Sequence, residues 1–308
     1  GQLPPSRMSN PSIYFLFIDG IGLAPKNGSN PFSELELPGF TALAESPSWT
    51  SDLLVQRNTP SLLIRGIDAN LGIDGLPQSG TGQSTIFSGV NCAQLAGRHY
   101  GPYPHSTSRD VLLEKNIFRR VGPGRSVFAN AYPERFFRYA ERRDRWPTTT
   151  RCCLDSGIKI RTISDLEEGN ALAADITGAG LAAVSKANVT TISESAAAKR
   201  VRSMCSSNAL VVSEYFHTDK AGHAQDPIAA TSCLRSLDRF ISCLLDELDW
   251  SQTTMVLTSD HGNMEDLSVK THTRNPVPLV VRGPSAHYFS EVSDLSQLAD
   301  AVELAVRL

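Results

Sequence analysis

Ile13-Tyr14-Phe15-Leu16-Phe17-Ile18-Asp19-Gly20 is the stretch on which the rest of the chain hangs. Six apolar residues in a row, without polar alternation, suit a strand covered on both faces of a sheet. The run ends by delivering an acidic side chain at its C-terminal end. Outward from it, residues 20–39 carry Gly22, Gly28 and Pro31 and read as a long loop.

Two further stretches repeat the pattern. Residues 209–216 read as a strand, and residues 254–259 form another apolar strand that also ends on an acidic residue, Asp260. Between them, residues 227–248 read as a long amphipathic helix. Leu234, Leu237, Ile241, Leu244, Leu245 and Leu248 recur at helical spacing, Asp226 can cap the start, and Pro227 suits the first turn. Residues 278–282 read as a strand and 295–308 as a helix. Glycine-rich residues 66–82 lead to a helix expected over 83–95, so Ser79-Gly80-Thr81-Gly82 becomes a loop-to-helix junction whose amides suit an anion. Strands alternating with helices predict an α/β fold with a buried sheet. In such folds sites form at the carboxyl ends of strands, and Asp19, Thr81, Asp219 and Asp260 all fall at or just after element ends.

Composition narrows the function. The 308 residues are 41% hydrophobic, enough for a substantial core, and the net charge of −3 argues against a general nucleic-acid binder. No run of eighteen apolar residues predicts a membrane span, and the first eleven residues hold no apolar run of signal-peptide length. Cys92, Cys152, Cys153, Cys205, Cys233 and Cys243 form no CxxC pair and read as reduced, partly buried side chains, which favours a cytoplasmic location. Residues 98–161 are locally basic, with 14 Lys+Arg against 6 Asp+Glu. Such a segment is either a solvated face or a lid over an anionic substrate.

The histidines point to metal. His223 follows Asp219 by four residues, His261 directly follows Asp260, and His272 sits in Thr271-His272-Thr273. Asp and His together supply the oxygen and nitrogen donors that suit Zn²⁺, Mn²⁺ or Fe²⁺, with Mg²⁺ at an oxygen-rich site. The residue pattern leaves open one metal or two.

Ordered motifs then add a resemblance. Phe17-Ile18-Asp19-Gly20-Ile21-Gly22, Ser79-Gly80-Thr81-Gly82-Gln83-Ser84 before Ser88-Gly89, Asp219-Lys220-Ala221-Gly222-His223, Thr258-Ser259-Asp260-His261-Gly262-Asn263 and Thr271-His272-Thr273-Arg274-Asn275-Pro276-Val277-Pro278 follow one another along the chain. Together they resemble the alkaline phosphatase superfamily, nearest its branch of cofactor-independent phosphoglycerate mutases and phosphopentomutases. The resemblance implies an alkaline-phosphatase-like core with a central, mostly parallel sheet flanked by helices. It places a metal-binding core at 13–97 and 205–308, a flexible segment at 1–12, and a smaller inserted cap domain at 98–204.

The resemblance also implies two divalent cations, Mn²⁺ or Zn²⁺ first, with Mg²⁺ or Fe²⁺ as alternatives. Asp19, Asp260 and His261 would hold one; Asp219, His223 and His272 would hold the other. Thr81 takes the nucleophile's place, because seven residues separate it from Ser88 as in the mutases, and it would also touch the first metal. Ser79 and Ser84 compete for that role. Lys26, Asn91, Arg98 and His99 are candidates for phosphate or leaving-group contacts, and His105 and His217 could assist. The expected function is hydrolysis of a small anionic phosphate ester through a phosphothreonine, with no nucleic-acid or membrane partner. An intramolecular mutase and a metal-supported interaction protein without catalysis are the alternatives.

Overall fold

The computed structural model describes residues 10–184 and 189–307. Among the described residues nine strands follow in chain order: β1 Ser12–Ile18, β2 Arg57–Thr59, β3 Leu62–Ile67, β4 Ser126–Phe128, β5 Ala131–Tyr132, β6 Arg161–Thr162, β7 Leu210–Tyr215, β8 Thr253–Thr258 and β9 Val277–Arg282. Seven form one sheet in the order β2-β3-β9-β8-β1-β7-β4, and β5 pairs with β6 in a small second sheet.

β1 lies between β7 and β8, parallel to both. Its unbroken apolar run is explained by helices on both faces. Ile13, Phe15 and Phe17 pack with Ile86, Phe87, Phe118 and Leu298 on one side. Tyr14, Leu16 and Ile18 pack with Phe40, Val201, Leu237 and Ile241 on the other. The two-residue period of a strand sends alternate side chains to opposite cores. The helix Pro227–Glu247 matches its expected span, and the Asp226 side chain accepts from the Ile228 and Ala229 amides. Truncating fully buried Leu237 to Ala would cost about 2–5 kcal/mol through the cavity left behind.

Three expectations need correction. The sheet is parallel only from β4 through β7 and β1 to β8; the β8–β9, β9–β3 and β3–β2 pairings are antiparallel. Residues 98–204 do not form a body apart from the core. β4 adds to the main sheet beside β7, and Leu112, Phe118, Cys152 and Cys153 join the same apolar cluster as Phe15. A satellite cluster around Ala131, Leu166, Ala171, Ala173 and Val189, close to the β5–β6 pair, has a small core of its own. Of the expected flexible segment 1–12, residues 1–9 lie outside the described residues, and Ser12 already belongs to β1.

The third correction concerns Ser79. The helix expected from residue 83 spans Ser79–Ser88, and a second short helix follows at Cys92–Ala96. Gly80 is a helical residue in close packing, since a Cβ there would fall 2.1 Å from the Tyr103 carbonyl oxygen. All six cysteines are free, and five are buried. No helix among the described residues is long and apolar enough to cross a membrane.

Candidate metal centre

β1, β7 and β8 run parallel, so their C-terminal ends share one edge of the sheet. Asp19 follows β1, and Asp260 and His261 follow β8 after Ser259. The helix His217–Ala224 follows β7 and carries Asp219 and His223 one turn apart. His272 arrives on the loop before β9, tied to the β8 loop by the Gly262–Thr273 bridge.

Two clusters result, each able to offer three ligand atoms within 4.8 Å of one another: Asp19, Asp260 and His261, and Asp219, His223 and His272. In the first, His261 Nε2 lies 3.2 Å from Asp19 Oδ1 and 3.3 Å from Asp260 Oδ2. Its Nδ1 is 3.1 Å from the Gly262 carbonyl, which can only accept. The ring proton therefore belongs on Nδ1, and a bare Nε2 lone pair faces two carboxylates. Asp19 Oδ1 and His261 Nε2 are both buried without a hydrogen-bond partner. Burial raises the Asp19 carboxyl well above its ordinary range, and Asp260, Asp219 and Glu214 push it further. Concentrated negative charge and unpartnered lone pairs are the environment a cation relieves.

The second cluster repeats the device. His223 Nδ1 lies 2.8 Å from the Lys270 carbonyl and His272 Nδ1 2.6 Å from that of Pro77. Their Nε2 atoms then face each other across 3.1 Å. His223 Nε2 is 3.2 Å from Asp219 Oδ2, and His272 Nε2 is 3.5 Å from Asp219 Oδ1. Burial alone would raise the Asp219 carboxyl, but His272, His261 and Asn263 outweigh it and hold the group well below the usual range. Two nitrogens and a carboxylate suit Zn²⁺ or Mn²⁺, so both donor sets fit divalent cations.

The clusters adjoin. Gly20, at φ +76°, permits this, because a Cβ there would sit 2.6 Å from Asp219 Oδ1. Thr218 Oγ1 donates to the Asp19 carbonyl, fastening the β7 helix to the end of β1.

The three hydroxyls considered for the nucleophile stand in different surroundings. Thr81 is fully buried, and its hydroxyl accepts from the Tyr100 amide at 3.1 Å and donates to the Tyr100 carbonyl at 3.3 Å. Ser84 is buried too and donates to the Gly80 carbonyl. Ser79, at the first helical position, instead lines a cavity of about 850 Å³ together with Asp19 and Gln83. Ser79 and Gln83 are four apart and share a helix face; the Gln83 amide donates to Asp260 Oδ2 at 3.1 Å and more weakly to Asp19 Oδ2 at 3.5 Å. That face is turned to the acidic cluster, and Thr81 is turned to Tyr100.

The residues expected to contact the substrate lie in varied settings. Asn91 caps the helix Cys92–Ala96 and donates to the Leu71 carbonyl. His99 is spent on the Ile73 carbonyl at 3.0 Å. The Lys26 amide binds Asp52 on an exposed loop. Arg98 and His105 line a separate cavity of about 400 Å³. Of the lesser candidates, His217 lines the main cavity, together with Lys220.

Sequence reasoning missed Glu265. Its buried carboxyl accepts from the Gly22 amide at 3.0 Å, the Asn263 amide at 2.6 Å, the Thr273 hydroxyl and Asn275 Nδ2 at 2.9 Å. One side chain thus fixes the β1 loop, the His261 loop and the His272 loop. Asn263 acts similarly, donating to Asp219 Oδ1 at 2.8 Å. Both residues belong to the polar tail of the Asp260-His261 motif, which was the available signal.

Comparison with known proteins places the chain in a family. The Metalloenzyme superfamily profile matches residues 12–303. Proteins named 2,3-bisphosphoglycerate-independent phosphoglycerate mutase match shorter segments. That of Parasynechococcus marenigrum is 35% identical over 98 residues, 30% of this chain and 18% of its own length. That of Pyrococcus abyssi is 31% identical over 90 residues, 29% of this chain and 22% of its own. The matched segments therefore span about a fifth of these relatives. Among solved structures, the alkaline phosphatase from the Antarctic bacterium TAB5 superposes with a TM-score of 0.53 at 13% identity, covering 97% of this chain and 99% of that one. The PH0037 protein from Pyrococcus horikoshii gives 0.52 at 16% identity, over 89% and 86%. These two share the fold, and the expected alkaline-phosphatase-like architecture is the one observed. With a profile match over nearly its whole length, the chain belongs to the Metalloenzyme superfamily.

Proposed function

We propose that this protein transfers the phosphoryl group of a phosphate ester through Ser79, beside two divalent cations held by Asp19, Asp260 and His261 and by Asp219, His223 and His272. The observation that carries the reading is the convergence of two oxygen-and-nitrogen donor sets, with Ser79 at a helix start lining the same cavity as Asp19 of the first. When bound, a cation pair favours the alkoxide of such a hydroxyl and neutralises charge on the phosphoryl oxygens.

The chain's own residues supply the rest. Ser79 opens a ten-residue helix, whose N-terminal end favours an approaching anion. The Thr81 amide is given to the Tyr100 carbonyl at 2.8 Å, which makes the amides of Ser79 and Gly80 the first-turn candidates for that anion. Gln83 fixes the Asp260 carboxylate, and Glu265 holds the loops that bring His261 and His272 together. The Ser79 Oγ–P bond forms as the ester P–O bond breaks and the leaving oxygen takes a proton. Water then cleaves the phosphoserine and frees phosphate.

Transfer to another hydroxyl of the same substrate is the second reading, favoured by the mutase names of the matching relatives. Oxygen-18 water separates the two. Hydrolysis leaves one solvent oxygen in free phosphate. Phosphate relocated within the substrate and free of label supports the mutase. No transfer by the metal-loaded protein from a broad set of phosphate esters contradicts both and favours a metal-supported interaction protein.

A further inference from the structure

The cavity that receives Asp19 and Ser79 extends into a chamber whose walls are rings. Tyr103, Tyr132, Phe136, Tyr139 and Phe216 line it, with Leu181. Tyr132 and Phe136 stack at 4.1 Å with an interplanar angle of 28°. Phe136 is backed edge-on by Phe137 at 5.6 Å and Trp146 at 6.0 Å, so the wall is braced. Phe216 carries His217 stacked at 4.8 Å and the Lys220 ammonium 4.7 Å from its centroid.

This lining does not suit a three-carbon phospho-acid. Such a ligand needs cations aimed at its carboxylate, and Arg135 and Lys220 line the chamber but are both exposed to solvent. A volume of about 850 Å³ falls in the upper part of the range of roughly 300–1,000 Å³ usual for ligands of drug size. Aromatic walls offer stacking and edge contacts to a planar ring. Asp175 and Glu214, also on the wall, can accept from polar hydrogens on such a ring.

We propose that the chamber receives the leaving group of the phosphate ester and that this group carries a planar aromatic ring. The inference rests on phosphoryl transfer at Ser79 for the orientation of the ester, but the chamber can be tested without turnover. Phosphonates cannot be cleaved at the P–C bond by this chemistry. Calorimetric titration of the full Mn²⁺-loaded chain compares 2-phenylethylphosphonate, 2-cyclohexylethylphosphonate and ethylphosphonate. The phenyl ligand is expected to bind tighter than the ethyl ligand by on the order of tenfold, and tighter than the cyclohexyl ligand. Tyr139→Ala and Phe136→Ala should narrow the phenyl-to-ethyl ratio. Tyr139 is 47% exposed, so its variant is expected to keep the fold. Equal affinities, no binding, or a ratio unchanged in both variants overturns the proposal. A preserved ratio in a protein that turns over no ester leaves the chamber standing and removes the phosphoryl-transfer reading.

Discussion

The rings of His261 and His272 stack with centroids 3.6 Å apart and planes inclined by 18°. One ring belongs to each donor cluster, so the two clusters share a wall. A cation in either would lie next to the other, the arrangement in which a pair can act on one phosphoryl group. His272→Ala should therefore do more than delete one ligand. It should abolish tight binding of one cation and weaken the second by about tenfold or more through the lost wall. Metal titration followed by elemental analysis reads both effects, and two undisturbed sites in the variant would refute the shared wall.

Ser79→Ala should lose turnover by on the order of 10³-fold or more while keeping its metal content, since the covalent route is closed. Thr81→Ser keeps a hydroxyl for Tyr100 and should stay within tenfold of the parent. Thr81→Ala leaves the part-buried Tyr100 amide short of a partner and should cost about 1–3 kcal/mol of stability. Steady-state kinetics on the three variants, with denaturation for the last, decide between the hydroxyls. The reverse order of activity would restore Thr81.

Glu265→Gln tests the bracing of three loops by one carboxyl. Four donors converge on it, and an amide nitrogen can accept none of them. The expected loss is roughly 1–3 kcal/mol in urea denaturation of the metal-free chain. Dissociation constants of both cations should rise by about 10- to 100-fold. Unchanged metal affinity would reduce Glu265 to a local role.

Glu214 gives a pH-dependent prediction. Burial raises its carboxyl from 4.5 to about 7, with Asp260 adding to the shift and Thr149 and Tyr132 opposing it. Below pH 4.5 folded and unfolded forms are both protonated there. Between 4.5 and about 7 the unfolded chain ionises first, so the folded state holds more protons and stability falls as pH rises. Glu214→Gln removes this dependence while keeping an acceptor for Thr149, whose hydroxyl lies 3.4 Å away. In chelator-treated protein the variant should gain stability relative to the parent from pH 5 to pH 8. Thermal melts with a constant difference across that range would contradict the assignment.

The donor set was readable because of where it lies. Asp19 and Asp260 end apolar runs, and an acidic residue leaving a buried strand has few purely structural uses. His223 follows Asp219 by one helical turn, so a local spacing encodes their meeting. What was hidden depends on contacts far along the chain. The helix start at Ser79 was placed too late because Gly80 and Gly82 read as turn formers. Gly80 is required instead by the approach of the Tyr103 carbonyl, and Tyr100 is what withdraws the Thr81 hydroxyl. β4 was invisible for a similar reason. Three residues carry no periodicity, and its partner β7 begins 84 positions later in sequence, where Ser126 meets Leu210.

Anomalous diffraction from crystals grown with Mn²⁺ tests the two-cation claim most directly. Two peaks are predicted, one among Asp19, Asp260 and His261 and the other among Asp219, His223 and His272, both on the side of Ser79. A single peak, or peaks away from these six side chains, would contradict it.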